Sequence, residues 1–235
     1  MLKKLRIFRN SMLALAALLA MPVALGDGIL FYKQGQRGKY NRNGTWLLFA
    51  RNKRQAGHGV DYVLDIPQGR PDPGEAGHSE WTAAREAAEE TALLLDEFRE
   101  IAVGKKGKKE WCFIGKNGQP FNWHSFMTPD TATYTRFLGA LNGVQPIKDH
   151  AGSHYFIAPY PGLYHFGLRN EELSADFNRR KRVIRDNLHH GAHAFMEMEG
   201  LEWVHCDDLK NILRNHPERV RGKFAAHEAV KRFCH

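Results

Sequence analysis

Residues 66–95, IPQGRPDPGEAGHSEWTAAREAAEETALLL, constrain the fold of this chain more than any other segment. The second half has few helix breakers and several alanines, which favours a helix. At about 3.6 residues per turn, Glu86, Glu89 and Glu90 share one face, whereas the small and apolar residues lie largely on another. Three carboxylates therefore lie side by side.

Like charges at this spacing destabilise a helix by a few tenths of a kcal/mol per pair. A hard divalent cation would offset the repulsion, because Mg2+ and Mn2+ prefer oxygen ligands and often bridge carboxylates to substrate phosphates. Taken alone, such a cluster is more often a solvated acidic face. The helix by itself leaves both interpretations open.

The residues before the helix add a second constraint. A short apolar strand ends in Pro67, Gln68 and Gly69, and a turn-rich loop then leads to Glu75. This order of strand, loop, glutamate and acidic helix resembles the Nudix box, whose pattern is G-x5-E-x7-R-E-U-x-E-E-x-G-U, with U an aliphatic residue. The matching positions are Gly69, Glu75, Arg85, Glu86, Glu89 and Glu90.

Two positions depart from the family pattern. Nine residues rather than seven separate Glu75 from Arg85, and Ala92 stands where the family has glycine. The extra pair falls within residues 76–84, where a longer loop can absorb it without moving the glutamates. A helix that continues through residue 95 accommodates Ala92, whereas a positive φ there would be costly for a residue with a Cβ.

The resemblance implies an α/β fold, an α/β/α sandwich with a mixed β-sheet, over residues 27–235. It also implies divalent-metal-dependent hydrolysis of a pyrophosphate bond in a nucleoside diphosphate linked to another moiety. The alternative is a non-catalytic nucleotide-binding module with the same fold. The expected substrate is a nucleotide-type small molecule.

The resemblance also assigns roles to individual residues. Mg2+ or Mn2+ would be held by the carbonyl of Gly69 and by Glu86, Glu89 and Glu90, and would lower the pKa of a bound water. One of these glutamates, or a histidine from a later loop, would accept the proton. Arg85 would pair with Glu75 and orient the helix.

A late strand is predicted where AFMEME, residues 194–199, alternates apolar and polar residues ahead of residues 201–204. Some members of the family place one more acidic metal ligand on such a strand, and Glu197 and Glu199 are the candidates. Residues 207–235 are expected to close the domain as helix, with Asp207 or Asp208 as N-cap and a break near residues 216–217.

The remaining periodicity supplies the rest of the fold. It predicts strands at 28–33, 45–50, 60–66 and 154–158, a hairpin of 98–103 with 110–115, and helices at 131–141 and 173–190. Residues 117–153 are less regular and form an insertion. It either selects substrate or completes the core.

Basic residues cluster at the hairpin turn and in the late helix, where they could contact phosphate but are more often solvated. They are Lys105, Lys106, Lys108 and Lys109 in the turn and Arg179, Arg180, Lys181, Arg182 and Arg185 in the helix. An H-H-x-x-H run follows at His189, His190 and His193. A metal site is not favoured there because no carboxylate or cysteine nearby completes a ligand set.

Residues 1–26 carry four cations and no acid, followed by an apolar stretch. This pattern predicts a signal peptide cleaved after Gly26, and hence an exported, periplasmic or secreted, protein. An uncleaved membrane anchor is the alternative, although the stretch is short for a span of about 20 residues. Without these residues the formal net charge falls from +8 to +4, which makes no strong case for nucleic-acid binding. The sequence leaves the oligomeric state open.

The cysteines are Cys112, Cys206 and Cys234, with no C-x-x-C spacing. At most one disulfide can form, and the sequence does not select the pair. Buried free thiols are equally compatible with the pattern.

Overall fold

The computed structural model describes residues 26–37, 42–53, 61–123, 130–188 and 190–234. The predicted signal or anchor, up to residue 25, and His189 of the H-H-x-x-H run lie outside the described residues. Within those ranges, no helix has the length and apolar character needed to cross a bilayer.

Nine strands and six α-helices make up the described chain. The strands are β1 Asp27–Arg37, β2 Arg42–Asn52, β3 Val63–Asp65, β4 Gln68–Gly69, β5 Phe98–Val103, β6 Lys108–Phe113, β7 Ile147–Lys148, β8 His154–Pro159 and β9 Gly200–His205. The helices are α1 Ser79–Glu90, α2 Ala132–Ala140, α3 Tyr164–Gly167, α4 Asn170–Asn187, α5 Cys206–Asn215 and α6 Lys223–Phe233, with 3-10 turns at Ala192–Met196 and Pro217–Arg219.

The main sheet contains seven strands in the order β3-β2-β1-β8-β7, with β4 paired to β1 and β9 paired to β2. β1 and β8 run parallel, and the other pairs are antiparallel, so the sheet is mixed. The hairpin β5–β6 forms a separate two-stranded sheet.

Alternation along the central strands assigns the two faces of the sheet. Ile29 and Phe31 of β1 pack in one buried cluster with α1, α2 and α4, whereas Leu30 packs in a second cluster with α5 and α6. Successive side chains of a strand point to opposite faces, so a strand buried on both sides serves two cores. The predicted α/β/α sandwich with a mixed sheet is confirmed.

Most predicted elements lie within a few residues of the observed ones, but the strand predicted at 194–199 is wrong. Ala192–Met196 forms a 3-10 turn, and β9 begins only at Gly200. Phe195 and Met198 are both buried in the first cluster. Their spacing of three suits a helical turn, whereas on a strand they would face opposite sides.

The predicted N-cap of the closing helix is also wrong. The side chain of His205 accepts the amide of Asp207 at 3.2 Å and so caps α5. Asp207 and Asp208 lie in the first turn, where they pair with Arg42 on the surface. The predicted break near Pro217 is confirmed, since α5 ends at Asn215.

One disulfide forms, between Cys206 and Cys234, with a Cα–Cα distance of 5.3 Å. It ties the start of α5 to the residue after α6, across 28 positions. A loop of that size corresponds to about 3–4 kcal/mol in the chain-entropy account of disulfide stabilisation. Cys112 is a free thiol.

Candidate functional site

The site forms where β4 pairs with the first residues of β1. Asp27 lies opposite Gly69, and Gly28 lies opposite Gln68. α1 packs on the same side of the sheet through four fully buried alanines, 83, 84, 87 and 88. Side chains this small let the helix approach the sheet closely and bring its acidic face to β4.

Gly69 makes room for the carboxylate of Glu86. A Cβ on Gly69 would lie 2.0 Å from the carboxyl carbon of Glu86, far inside a van der Waals contact. On its other side, the carbonyl oxygen of Gly69 would lie 2.3 Å from a Cβ on Gly26. A side chain at position 69 would therefore displace the Glu86 carboxylate from the backbone of β4.

Glu90 is held against β4 by a backbone hydrogen bond. The amide of Gln68 donates to its carboxylate at 3.0 Å, and only 3% of the residue is exposed. Burial raises the pKa of Glu90 well above its ordinary value, and the charges of Asp65 and Glu86 add to the effect. Glu90 is thus a buried carboxylate beside other negative groups.

Glu86 has the same kind of environment. Burial raises its pKa to about 7, and the negative charges of Glu89 and Glu197 act in the same direction. Arg85 opposes these effects, since its Nη1 lies 2.9 Å from Glu86 Oε1. Negative charge is concentrated around Glu86 and Glu90 in a region that water reaches poorly.

Arg85 forms the predicted pair with Glu75 and also contacts Glu89 and the carbonyl of Arg70. Its Nε and Nη2 contact the two carboxylate oxygens of Glu75 at 3.0 and 3.1 Å. Nη1 also contacts Glu89 at 3.0 Å, and Nη2 donates to the carbonyl of Arg70 at 2.8 Å. Burial acts to raise the pKa of Glu75, but hydrogen bonds from Arg85 and the amide of Asp72 outweigh it and lower that pKa. The guanidinium thus joins the loop to the acidic helix.

The loop absorbs the two extra residues as predicted. Helix α1 begins at Ser79, and Gly77 before it turns with a φ of 87° into open space. The spacing of the glutamates along the helix is unaffected.

The prediction that the helix continues through residue 95 is wrong. α1 ends at Glu90, and Ala92 and Leu93 have φ values of 51° and 55°. Both side chains are fully buried, because the reversed chain turns them back into the first core cluster. Left-handed backbone costs a residue with a Cβ roughly 1–2 kcal/mol, so the turn stores strain that glycine would avoid.

Of the two candidate extra ligands, the structure brings Glu197 towards the cluster. Its charge raises the pKa of both Glu86 and Glu90. Both glutamates are exposed, and the amide of Glu199 donates to the carbonyl of Arg51 at 2.8 Å.

The described residues contain no group of three or more His, Cys, Asp or Glu side chains already arranged around a metal position. Arg85 Nη1 lies between Glu86 and Glu89 instead. The donor chemistry nevertheless fits a hard cation, since it consists of carboxylate oxygens, and burial together with their mutual repulsion raises the pKa of Glu86 and Glu90. Mg2+ or Mn2+ would offset that repulsion.

A histidine–aspartate pair beside the site was missed by sequence reasoning. His154 Nδ1 lies 2.9 Å from Asp27 Oδ1. Asp27 is the residue of β1 that pairs with Gly69 of β4. Alternation with Phe156 on β8 and Ile29 on β1 places both side chains on the α1 face. The two residues are 127 positions apart, so no local pattern could have joined them.

The remaining predicted groups lie away from the glutamates or serve the fold. The lysines of the hairpin turn are exposed, as are His190 and His193. In the basic helix, Arg182 and Arg185 are exposed, but Arg180 is buried.

The insertion at 117–153 contributes to the core. Phe137 of α2 is fully buried, with its ring 4.5 Å from that of Phe31. A cavity of about 740 Å³ also lies between the end of β6 and the start of α2, with Phe121 and Asn122 in its wall. Substrate selection by this insertion stays a prediction.

No profile of a known protein family and no curated protein matches the chain. Among solved structures, the crystal structure of a NUDIX hydrolase from Alicyclobacillus acidocaldarius aligns with 90% of this chain and 92% of its own. The identity is 13% and the TM-score 0.42. The motif and the geometry of the site are the basis for the function proposed below.

Proposed function

We propose that the protein is a Nudix-type pyrophosphohydrolase that uses Mg2+ or Mn2+ to cleave a nucleoside diphosphate linked to another moiety. The observation that carries this proposal is a pair of carboxylates at β4: the partly buried Glu86 lies against Gly69, and the buried Glu90 accepts the amide of Gln68. Burying charge without compensation is costly, and a divalent cation supplies the compensation.

Glu86, Glu89 and Glu90 would hold the ion with the carbonyl of Gly69, and Glu197 is a further acid whose charge acts on Glu86 and Glu90. When bound, the ion neutralises phosphate oxygens and lowers the pKa of a coordinated water. In the net reaction, water adds to one phosphorus and the bridging P–O bond breaks. The products are a nucleoside monophosphate and the phosphorylated second moiety.

The chain's own residues position this chemistry. Arg85 fixes the loop from Arg70 to Glu75 relative to α1 through four contacts, two to Glu75 and one each to the carbonyl of Arg70 and to Glu89. The Gln68 amide sets the direction of the Glu90 carboxylate. A carboxylate fixed in this way loses little freedom when it binds an ion.

Either a glutamate of the cluster or His154 accepts the proton. His154 is oriented by the buried Asp27, the arrangement expected of a base held by a carboxylate. His154→Gln separates the two cases. If His154 is the base, kcat falls by about 10²-fold or more while Mn2+ affinity is unchanged.

We further propose that the protein is exported. The disulfide between Cys206 and Cys234 supports this assignment, since such bonds persist in oxidising compartments. An exported enzyme meets nucleotide sugars, NAD, ADP-ribose and dinucleotides.

The experiment is a panel of ADP-ribose, NAD, ADP-glucose and diadenosine polyphosphates, with Mg2+ or Mn2+ and release of phosphate products as readout. We expect turnover of at least one compound, abolished by chelation and by Glu90→Gln. Glu171→Gln, at an exposed glutamate in the first turn of α4, is the matched control. Binding of these compounds without hydrolysis would favour a non-catalytic module and overturn the proposal.

A further inference from the structure

We propose that Arg180 of α4 is a positioning residue that fixes the turn after α1 and thereby the end of the acidic helix. Its catalytic consequence rests on the proposed function, but its effect on the turn does not.

Arg180 is buried, with only 4% of the residue exposed. Its Nη1 donates to the carbonyl of Leu93 at 2.7 Å and to that of Asp96 at 3.1 Å. Its Nε donates to Asp176 at 2.8 Å, which compensates the charge within the same helix. The guanidinium also lies 4.8 Å from the ring centre of Phe98. Removing one partner from a charge pair this enclosed is strongly destabilising, so Arg180 and Asp176 are treated together.

The turn that Arg180 contacts is the strained one. Leu93, whose carbonyl accepts the shorter hydrogen bond, and Ala92 before it both have positive φ. A left-handed conformation at two residues with side chains persists only where the surroundings hold it. Arg180 provides part of that support through its hydrogen bonds to the carbonyls of Leu93 and Asp96.

Residues of α2 provide further support for the turn. The carboxylate of Asp96 accepts the amides of Ala132 and Thr133, both at 2.9 Å, and the amide of Leu95 donates to Thr133 at 2.9 Å. Arg180 therefore connects α4 to a segment that is already tied to α2.

This turn is continuous with the glutamates. The amide of Ala92 donates to the carbonyl of Glu89, and that of Leu93 to the carbonyl of Ala88, both at 2.9 Å. Glu90 lies two residues before Ala92, and its carboxylate must meet the amide of Gln68. A shift of the turn therefore moves the carboxylates that would hold the ion.

The adjacent arginine provides a matched control. Arg179 also contacts Asp176, at 3.6 Å, but its side chain is 37% exposed and lies over the ring of Trp111. Arg179→Gln removes one arginine from the same helix and the same carboxylate without touching the turn.

The test compares Arg180→Lys and the charge-balanced double variant Arg180→Gln/Asp176→Asn with Arg179→Gln. The double variant removes both charges of the buried pair. Thermal melting and titration of free thiols, which reports whether the disulfide is intact, establish that it folds. Amide hydrogen exchange is then measured at residues 91–96. We expect exchange there to rise at least tenfold in the Arg180 variants and to stay within twofold of wild type in Arg179→Gln, because, of these two arginines, only Arg180 donates hydrogen bonds to the turn.

Mn2+ affinity, measured by electron paramagnetic resonance, and kcat supply the functional readout. Loss of a residue that orients metal ligands typically costs about 10–100-fold, and we expect a loss in this range. Adding Ala92→Gly should recover a large part of it, since glycine adopts positive φ without a Cβ.

Unchanged exchange at residues 91–96 in a folded Arg180 variant overturns the inference, as does equal loss in Arg179→Gln. If the wild-type protein neither binds Mn2+ nor hydrolyses nucleotides, the proposed function fails, while the exchange measurement still decides the role of Arg180.

Discussion

The acidic helix is expected to lower the stability of the protein, and Glu86→Gln tests this directly. In the folded protein the pKa of Glu86 is raised to about 7 from an ordinary value of 4.5, chiefly by burial. Only 16% of its side chain is exposed, so solvent screens it weakly. Ionised Glu86 therefore lowers the free energy of unfolding at neutral pH.

The sign and size follow from proton linkage. Between pH 4.5 and about 7 the folded state binds more protons at Glu86 than the unfolded state, so the free energy of unfolding falls as pH rises through this window. At 1.36 kcal/mol per pH unit, the interval from 4.5 to about 7 corresponds to about 3 kcal/mol. Glutamine has a similar shape and does not ionise. It can still accept from Arg85 Nη1, which lies 2.9 Å from Glu86 Oε1.

The assay is urea denaturation of wild type and Glu86→Gln from pH 4 to 8, in the presence of chelator. We expect the variant to be more stable by about 3 kcal/mol at pH 8, with the difference disappearing below pH 4.5. Glu171→Gln, at an exposed glutamate of α4, is the control for replacing a carboxylate by an amide.

Divalent cation should cancel most of this difference. Saturating Mg2+ at about 100 times its dissociation constant stabilises a binding-competent chain by about 2.7 kcal/mol. Wild type should gain this stability and Glu86→Gln should not. A variant that is no more stable than wild type at pH 8, or a difference independent of pH, would refute the reasoning about the buried carboxylate.

Three further predictions concern particular contacts. Gly69→Ala should abolish turnover and weaken Mn2+ binding at least tenfold, because its Cβ would lie 2.0 Å from the carboxyl carbon of Glu86; Gly139→Ala, whose Cβ would meet nothing within 4 Å, should leave both unchanged. Arg85→Gln should lower the free energy of unfolding by about 3–5 kcal/mol in urea titrations, because it leaves Glu75 partly buried without its cation; retention of wild-type stability would contradict the assigned clamp. The double variant Cys206→Ser/Cys234→Ser should lower the free energy of unfolding by about 3 kcal/mol in the same titration, whereas Cys112→Ser should leave it nearly unchanged. An equal loss of stability in the two variants would count against the disulfide.

Much of the fold could be predicted from the sequence because it depends on local periodicity. Apolar runs predicted the strands β1 and β2, and the 3.6-residue period placed Glu86, Glu89 and Glu90 on one helix face. The spacing of Gly69, Glu75 and Arg85 likewise predicted a clamp that the structure brings together. Each of these features is set by neighbours within about 20 residues along the chain.

Tertiary structure decided the rest, because a local pattern shows that a surface is apolar or charged but not which distant surface covers it. The basic run of α4 indicates a solvated face, yet Arg180 is buried on the carbonyl of Leu93, 87 positions away. The same limit applies to the pairing of Asp27 with His154 and of Cys206 with Cys234. The sequence by itself determined which groups lie on the acidic helix, and packing decided where that helix ends and what holds its last turn.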